Sequence, residues 1–240
     1  MKAAAWVRLA VTSTLLAVSG VVTVVASLQR WGCRIGVFPA ANNECGMRED
    51  HLYEYVNPGV SPVPLASAAE LHGAGMLILA VAVLVLPWVL AGRWPGWMLT
   101  IAAVVVAAGV AASALPTLLS GLEREAVSLP NLWLPGILLL LGLPALLIVS
   151  AWRATPGPRR VQTARWTTVT CLSVANNMGI TYFMSMVIFM YSSWDMNPWT
   201  ETIGGVLLVG AAVCLWLTVQ RDNASDADER GDVGAPLVTT

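Results

Sequence analysis

Charge is what this sequence has least of. Only 11% of its 240 residues are Asp, Glu, Lys or Arg, while 57% are hydrophobic. Mean hydropathy is +0.70. A soluble globular domain carries about 25% charged residues, so an ordinary soluble core is excluded. The formal net charge of −1 offers no basic surface, which excludes a nucleic-acid-binding role. Histidine is nearly absent, with His51 and His72 the whole set. Only His72 falls in an apolar stretch, so bis-histidine haem between helices is excluded. The four cysteines form no Cys-x-x-Cys pair, which argues against a membrane thiol oxidoreductase. There is no Gly-x-x-x-x-Gly-Lys-Ser/Thr loop, no His-Glu-x-x-His and no Gly-x-Ser-x-Gly. The apolar segments hold no charge pair and no arginine series of the voltage-sensor kind.

Long apolar runs are what is present. A hydrocarbon layer about 30 Å thick needs about 20 apolar residues per crossing helix. Six stretches qualify, at about Ala10–Leu28, Ala66–Leu90, Met98–Leu119, Leu132–Trp152, Trp166–Tyr191 and Thr202–Val219. They are continuous and rich in Leu, Val and Ala. A transmembrane barrel would instead show segments of about ten residues with alternating polarity. The expected fold class is therefore all-α: a polytopic helical membrane protein with six transmembrane helices in one domain, 1–219. A polar tail, 220–240, has no apolar periodicity and is expected to be disordered and cytoplasmic. Span 1 begins like a secretory signal, yet its apolar run exceeds the usual length of about 7–15 residues. It is read as an uncleaved anchor.

Arginine and lysine set the expected orientation. With the N-terminus inside, Lys2, Arg8, Arg93, Arg153, Arg159, Arg160, Arg165, Arg221 and Arg230 lie inside. Arg30, Arg34, Arg48 and Arg124 lie outside. Both termini are then cytoplasmic. Lys2 is the single lysine. That arginine bias, with the abundance of Ala, Val, Leu and Gly, is the composition of a GC-rich bacterial genome. The expected location is a bacterial cytoplasmic (inner) membrane.

Between spans 1 and 2 lies an extracytoplasmic loop of about 37 residues, 29–65. It contains Cys33 and Cys45, read as a structural disulfide in an oxidising compartment. Its densest polar cluster includes Asp50, His51 and Glu54. Carboxylates and imidazole suit a divalent metal, so these are weak metal candidates beside the plainer reading of a solvated loop. Glu70 and His72 open span 2 as candidate outer-mouth residues. Ser67 is read as the helix cap, with Glu70 as its capping-box partner.

Four spans carry patterns of their own. Span 3 repeats Ala103, Ala107 and Ala111 every four residues, and also Ala108 and Ala112. Small residues at that spacing allow close approach in lipid, so span 3 is read as the central helix. Span 4 is dominated by leucine and read as lipid-facing, kinked at Pro144. Span 5 carries Ser173, Asn177, Thr181 and Ser185 every four residues, flanked by Asn176 and Tyr182. On one continuous helix that is one face, read as a helix contact or a polar path. Gly204, Gly205 and Gly210 of span 6 are expected to let that helix approach span 5. Cys171 and Cys214 are read as packing residues.

These features give three functional expectations. The first is a non-catalytic accessory or assembly subunit of a membrane complex, contacting a membrane protein partner or a second copy of itself. The second is a small transporter or permease with a polar path along span 5. The third is a metal-dependent membrane enzyme. The lipid bilayer is the one certain partner, and no cofactor is implied.

Overall fold

The structure is a computed structural model that describes residues 3–31, 66–124, 127, 133–154, 157–189 and 199–232. All secondary structure among these residues is helical. Helix α1 runs Ala3–Trp31, α2 Ala66–Ala91 and α3 Trp97–Glu123. A short α4, Trp133–Ile137, leads through a π-helical turn, Leu138–Gly142, into α5, Leu143–Trp152. Then come α6, Arg159–Ala175, α7, Met178–Phe189, and α8, Thr200–Asp232. Five helices are long and apolar enough to cross a membrane, and α6 with α7 makes a sixth if taken as one broken span. The chain is a polytopic helical membrane protein.

The core lies where α1, α2, α3, α5, α6 and α8 meet. Leu16, Leu79, Val83, Leu86, Val110, Leu147, Leu172 and Leu215 are fully enclosed there. The lipid-facing side is equally apolar, with Val81, Ile101, Val104 and Val213 about half exposed. Because lipid tails are as apolar as leucine, no hydrophobic force presses these helices together, and close packing has to do it. Glycine supplies that closeness between α1 and α8. A Cβ built on Gly20 would stand 2.5 Å from the Gly205 carbonyl oxygen, and one on Gly205 would stand 2.7 Å from the Gly20 oxygen. The two backbones therefore touch through facing glycines. The expectation that the span 6 glycines approach span 5 is met at Gly204 and corrected at Gly205 and Gly210. Gly205 meets α1, Gly204 meets the Ala175 carbonyl of α6 at 3.1 Å, and Gly210 meets nothing within 4 Å.

The central helix is α2 rather than α3. Half of its spanning window is buried against 39% for α3, and it packs on α1, α3 and α5. The alanine repeat of span 3 does face inward at Ala103 and Ala107, but Ala108 is exposed. Gly73 of α2 meets the backbone of Leu118 in α3, with 2.7 Å from its Cβ position to the Leu118 Cα. The small side chains of α2, not only those of α3, therefore set this contact. Span 4 is the least buried of the five at 28%, as its leucine content suggests.

The irregularity in span 4 precedes Pro144 instead of sitting at it. Proline has no N–H and its ring crowds the carbonyl four residues back, which here is Leu140. The chain avoids that crowding by widening the preceding turn, and the Leu143 N–H donates to the Leu138 carbonyl. Several serines and threonines in the spans are satisfied locally. Thr12, Ser113, Ser120 and Ser150 each donate to the carbonyl four residues earlier, the usual back-bonding within a helix.

Two connectors meet at one end of the bundle. Gly92 and Gly96 take positive φ, 67° and 89°, which only glycine adopts freely. The connector they make exposes Arg93 and Trp94. Arg153 Nη1 donates to the Pro95 carbonyl at 3.1 Å, so the two arginine-bearing connectors share this end. Helix α8 continues past the apolar window Thr200–Leu217 to Asp232, over the first part of the tail expected to be disordered. Its Ala, Asp, Glu, Gln and Arg content allows propagation from an established helix, which costs far less than nucleation.

Candidate functional site

Span 5 breaks at two consecutive asparagines. Asn176 closes α6, its backbone N–H reaching the Leu172 carbonyl at 3.3 Å and its side-chain Nδ2 the same oxygen at 2.9 Å. Asn177 opens α7. Its Oδ1 accepts the Ile180 N–H at 3.1 Å, the geometry of an N-cap. Thr181 donates to the Asn177 carbonyl through its backbone N–H and through Oγ1, at 3.0 and 3.2 Å. Asparagine competes with the backbone for hydrogen bonds and so favours caps over helix interiors. Helix α7 then leaves at 88° to α6. Because Ala175 lies against Gly204, the break is level with the first turns of α8.

This corrects the continuous polar stripe expected along span 5. Ser173 is on α6, Asn177 is in the break, and Thr181 and Ser185 lie on α7. They share no common helix face. Thr181 and Ser185 are buried, while Ile180, Phe183, Val187 and Ile188 on the other side of α7 are exposed. Tyr182 is half-buried. The asparagines bond locally and do not staple neighbouring helices.

Beside the break is a cavity of about 780 Å³. Its polar lining includes His72 of α2, Asn176 and Thr181 from either side of the break, Thr117 of α3, Thr23 of α1 and Glu201 of α8. Met76, Leu139, Leu140 and Leu208 make the apolar walls. The volume is in the range that holds a drug-sized molecule, roughly 300–1,000 Å³. Gly136, Ile137 and Leu140 line the cavity and are exposed. Among the described residues the wall at α4 and the π turn is thus incompletely enclosed.

Glu201, just ahead of the last apolar run, is buried. It is 7% exposed. It occupies the first turn of α8, where the helix dipole favours an acidic side chain. Trp31 Nε1 donates to its Oε2 at 3.3 Å, and Ser27 Oγ donates to the same oxygen at 3.4 Å. Both contacts are long for hydrogen bonds. Thr202 Oγ1 in turn donates to Ser27 Oγ at 2.8 Å. Two turns deeper, Ser19 Oγ donates to the Gly75 carbonyl at 2.8 Å. Acidic residues inside a membrane segment are rare and mark functional sites by default. Signals for this site were present in the sequence. Ser19, Thr23 and Ser27 recur every four residues, and Glu201 directly precedes the last apolar run.

Of the expected site residues, the structure brings His72, Asn176 and Thr181 together at the cavity. Glu70 is half-buried on α2 but does not line it. Ser67 is no cap. It lies inside α2 and donates its hydroxyl to Gln29 Oε1 of α1, so the expected capping box with Glu70 is not formed. Cys171 and Cys214 are free and half-buried. The expected disulfide Cys33–Cys45 and the metal candidates Asp50, His51 and Glu54 lie outside the described residues. Among the described residues no three His, Cys, Asp or Glu side chains stand close enough to hold a metal ion. No family model, curated protein or solved structure matches this chain.

Proposed function

We propose that this protein is a small permease whose substrate site is the cavity beside the broken helix. The observation that carries the reading is the placement of that cavity, bounded by Asn176 and Thr181 on either side of the break and by Glu201 and His72 opposite. Irregular backbone at membrane depth is tolerated where it is buried in protein or lines a cavity. Discontinuous helices build the substrate sites of many secondary transporters. The path runs across the bundle at the break and not along span 5. The cavity favours the permease over the accessory-subunit reading. The arginine-bearing connectors Arg93 and Arg153 support a cytoplasmic location for their end of the bundle, in a bacterial inner membrane. The cavity then lies toward the outer face.

Single cysteines at Asn176, Thr181 and Phe183 test this in membrane vesicles. A water-soluble thiol reagent is expected to label Asn176→Cys and Thr181→Cys above the background of the native cysteines. Phe183→Cys, on the exposed apolar side of α7, is expected to stay unlabelled. Equal and negligible labelling at all three positions sinks the reading.

A further inference from the structure

We propose that the groove between α3 and α5 binds an anionic phospholipid, with one acyl chain in the groove and the phosphate at Arg153 and Arg93. The site lies apart from the cavity and does not rest on the permease reading. Leu139 and Leu140 of the π turn line the cavity, whereas Leu138 and Gly142 line the groove.

Small residues make the groove. Ala102 of α3, Gly142 of the π turn and Ala145 of α5 line it beside the larger Met98, Leu138 and Val149. They leave a space of about 540 Å³ whose described lining is hydrocarbon, one thioether and one indole.

Length decides between a lipid chain and a partner helix. Along α3 the lining runs from Trp97 to Val106, a rise of about 14 Å at 1.5 Å per residue. That is the depth of one leaflet, half of a hydrocarbon layer about 30 Å thick. A crossing helix would need a seam through both leaflets, whereas an acyl chain needs this one alone. The Trp97 end is the headgroup end, because Trp94, Trp97 and Trp152 are all exposed there and exposed tryptophans settle at the membrane interface.

Charge decides the headgroup. Arg153 bridges the two helices at that end of the groove. Its Nη1 donates to the Pro95 carbonyl, two residues ahead of Trp97, at 3.1 Å, and its side chain is exposed. Arg93, on the same connector as Pro95, is exposed as well. A guanidinium matches phosphate oxygens with paired hydrogen bonds. Basic groups beside a gap between spans are where acidic headgroups bind. A zwitterionic headgroup brings its own ammonium to the same place and gains less.

The test is native mass spectrometry of the full-length protein in a non-ionic detergent. The protein is titrated with phosphatidylglycerol and, separately, with phosphatidylcholine of the same acyl chains. Saturable retention of one phosphatidylglycerol, in clear preference to phosphatidylcholine, is expected for the unmodified protein. Arg93→Gln and Arg153→Gln are each expected to weaken phosphatidylglycerol binding about fivefold, and Arg153→Lys to keep most of it. Ala145→Trp fills the groove from an exposed position and is expected to lower retention of both lipids. Equal retention of the two lipids overturns the anionic headgroup. Phosphatidylglycerol binding unchanged in both glutamine variants overturns the arginines as its site, and binding unchanged in Ala145→Trp overturns the groove. The permease reading stands or falls separately, on thiol labelling at Asn176 and Thr181.

Discussion

Replacing Gly20 by alanine should loosen the contact between α1 and α8. The added methyl carbon would stand 2.5 Å from the Gly205 carbonyl oxygen and 2.9 Å from Val209 Cγ2. Ordinary van der Waals contact begins at 3.4 Å. The helices must part by about 0.9 Å along that line, the difference between 3.4 and 2.5 Å. A gap of roughly 0.5–1 Å forfeits a quarter to a half of each dispersion contact it opens. Overpacking of this kind costs about 1–3 kcal/mol. The higher helix preference of alanine returns about 0.5–1 kcal/mol, leaving a net loss of about 1–2 kcal/mol. In a chain of this length that lowers the melting temperature by about 2–8 °C. The control is Gly210→Ala on the same helix, where nothing lies within 4 Å of the Cβ position. Thermal unfolding in detergent, followed by tryptophan fluorescence, should separate the two variants. Gly20→Ala should melt lower, and Gly210→Ala should match the parent or exceed it slightly. Equal melting temperatures would refute the argument that facing glycines hold α1 on α8.

Other outcomes follow from the break and from the buried acid. Asn177→Ala removes the Oδ1 that accepts the Ile180 N–H and should cost about 0.5–2 kcal/mol. Faster amide exchange confined to α7 is the expected signature. Asn177→Ser should restore the cap, and identical exchange in the two variants would show that Asn177 does not cap α7. Trp31→Phe keeps a ring but removes the N–H held to Glu201, with an expected loss of about 1–3 kcal/mol. In the Glu201→Gln background the same change should cost less. Additive losses in that cycle would mean the two side chains are not coupled.

Much of the fold was legible because bilayer thickness sets one length for every crossing. Spans 1, 2, 3, 4 and 6 needed only a count of apolar residues, and each is one of the five spanning segments of the structure. Span 5 misled because a period of four reads as a face only if the helix continues. Asparagine fits a polar stripe and a cap equally well on sequence alone. The doubled Asn176–Asn177 was the local sign of a break, but helix-ending chemistry inside a long apolar run is outweighed by the run itself. His72, Asn176 and Thr181 were found because polar groups in spans are conspicuous. The burial of Glu201 was not legible because it comes from contacts such as those with Ser27 and Trp31, some 170 residues away in the chain. No local pattern expresses that contact. Pro144 was legible as a disturbance, though not its form, since the wide turn depends on which upstream carbonyl the ring crowds.

The wide turn has a further consequence. A π turn stores one residue more than a regular helix would use. Here the stored residue lies in Leu138, Leu139, Leu140 and Leu141, four identical side chains followed by Gly142. Moving the surplus by one position along that run exchanges leucine for leucine and leaves the chemistry of the surface unchanged. Each such step re-aims only the leucine that the wide turn passes, and the helices on either side keep their mutual register. The leucine run Leu138–Leu141 thus leaves the position of the wide turn degenerate in sequence, with only the downstream proline to fix it.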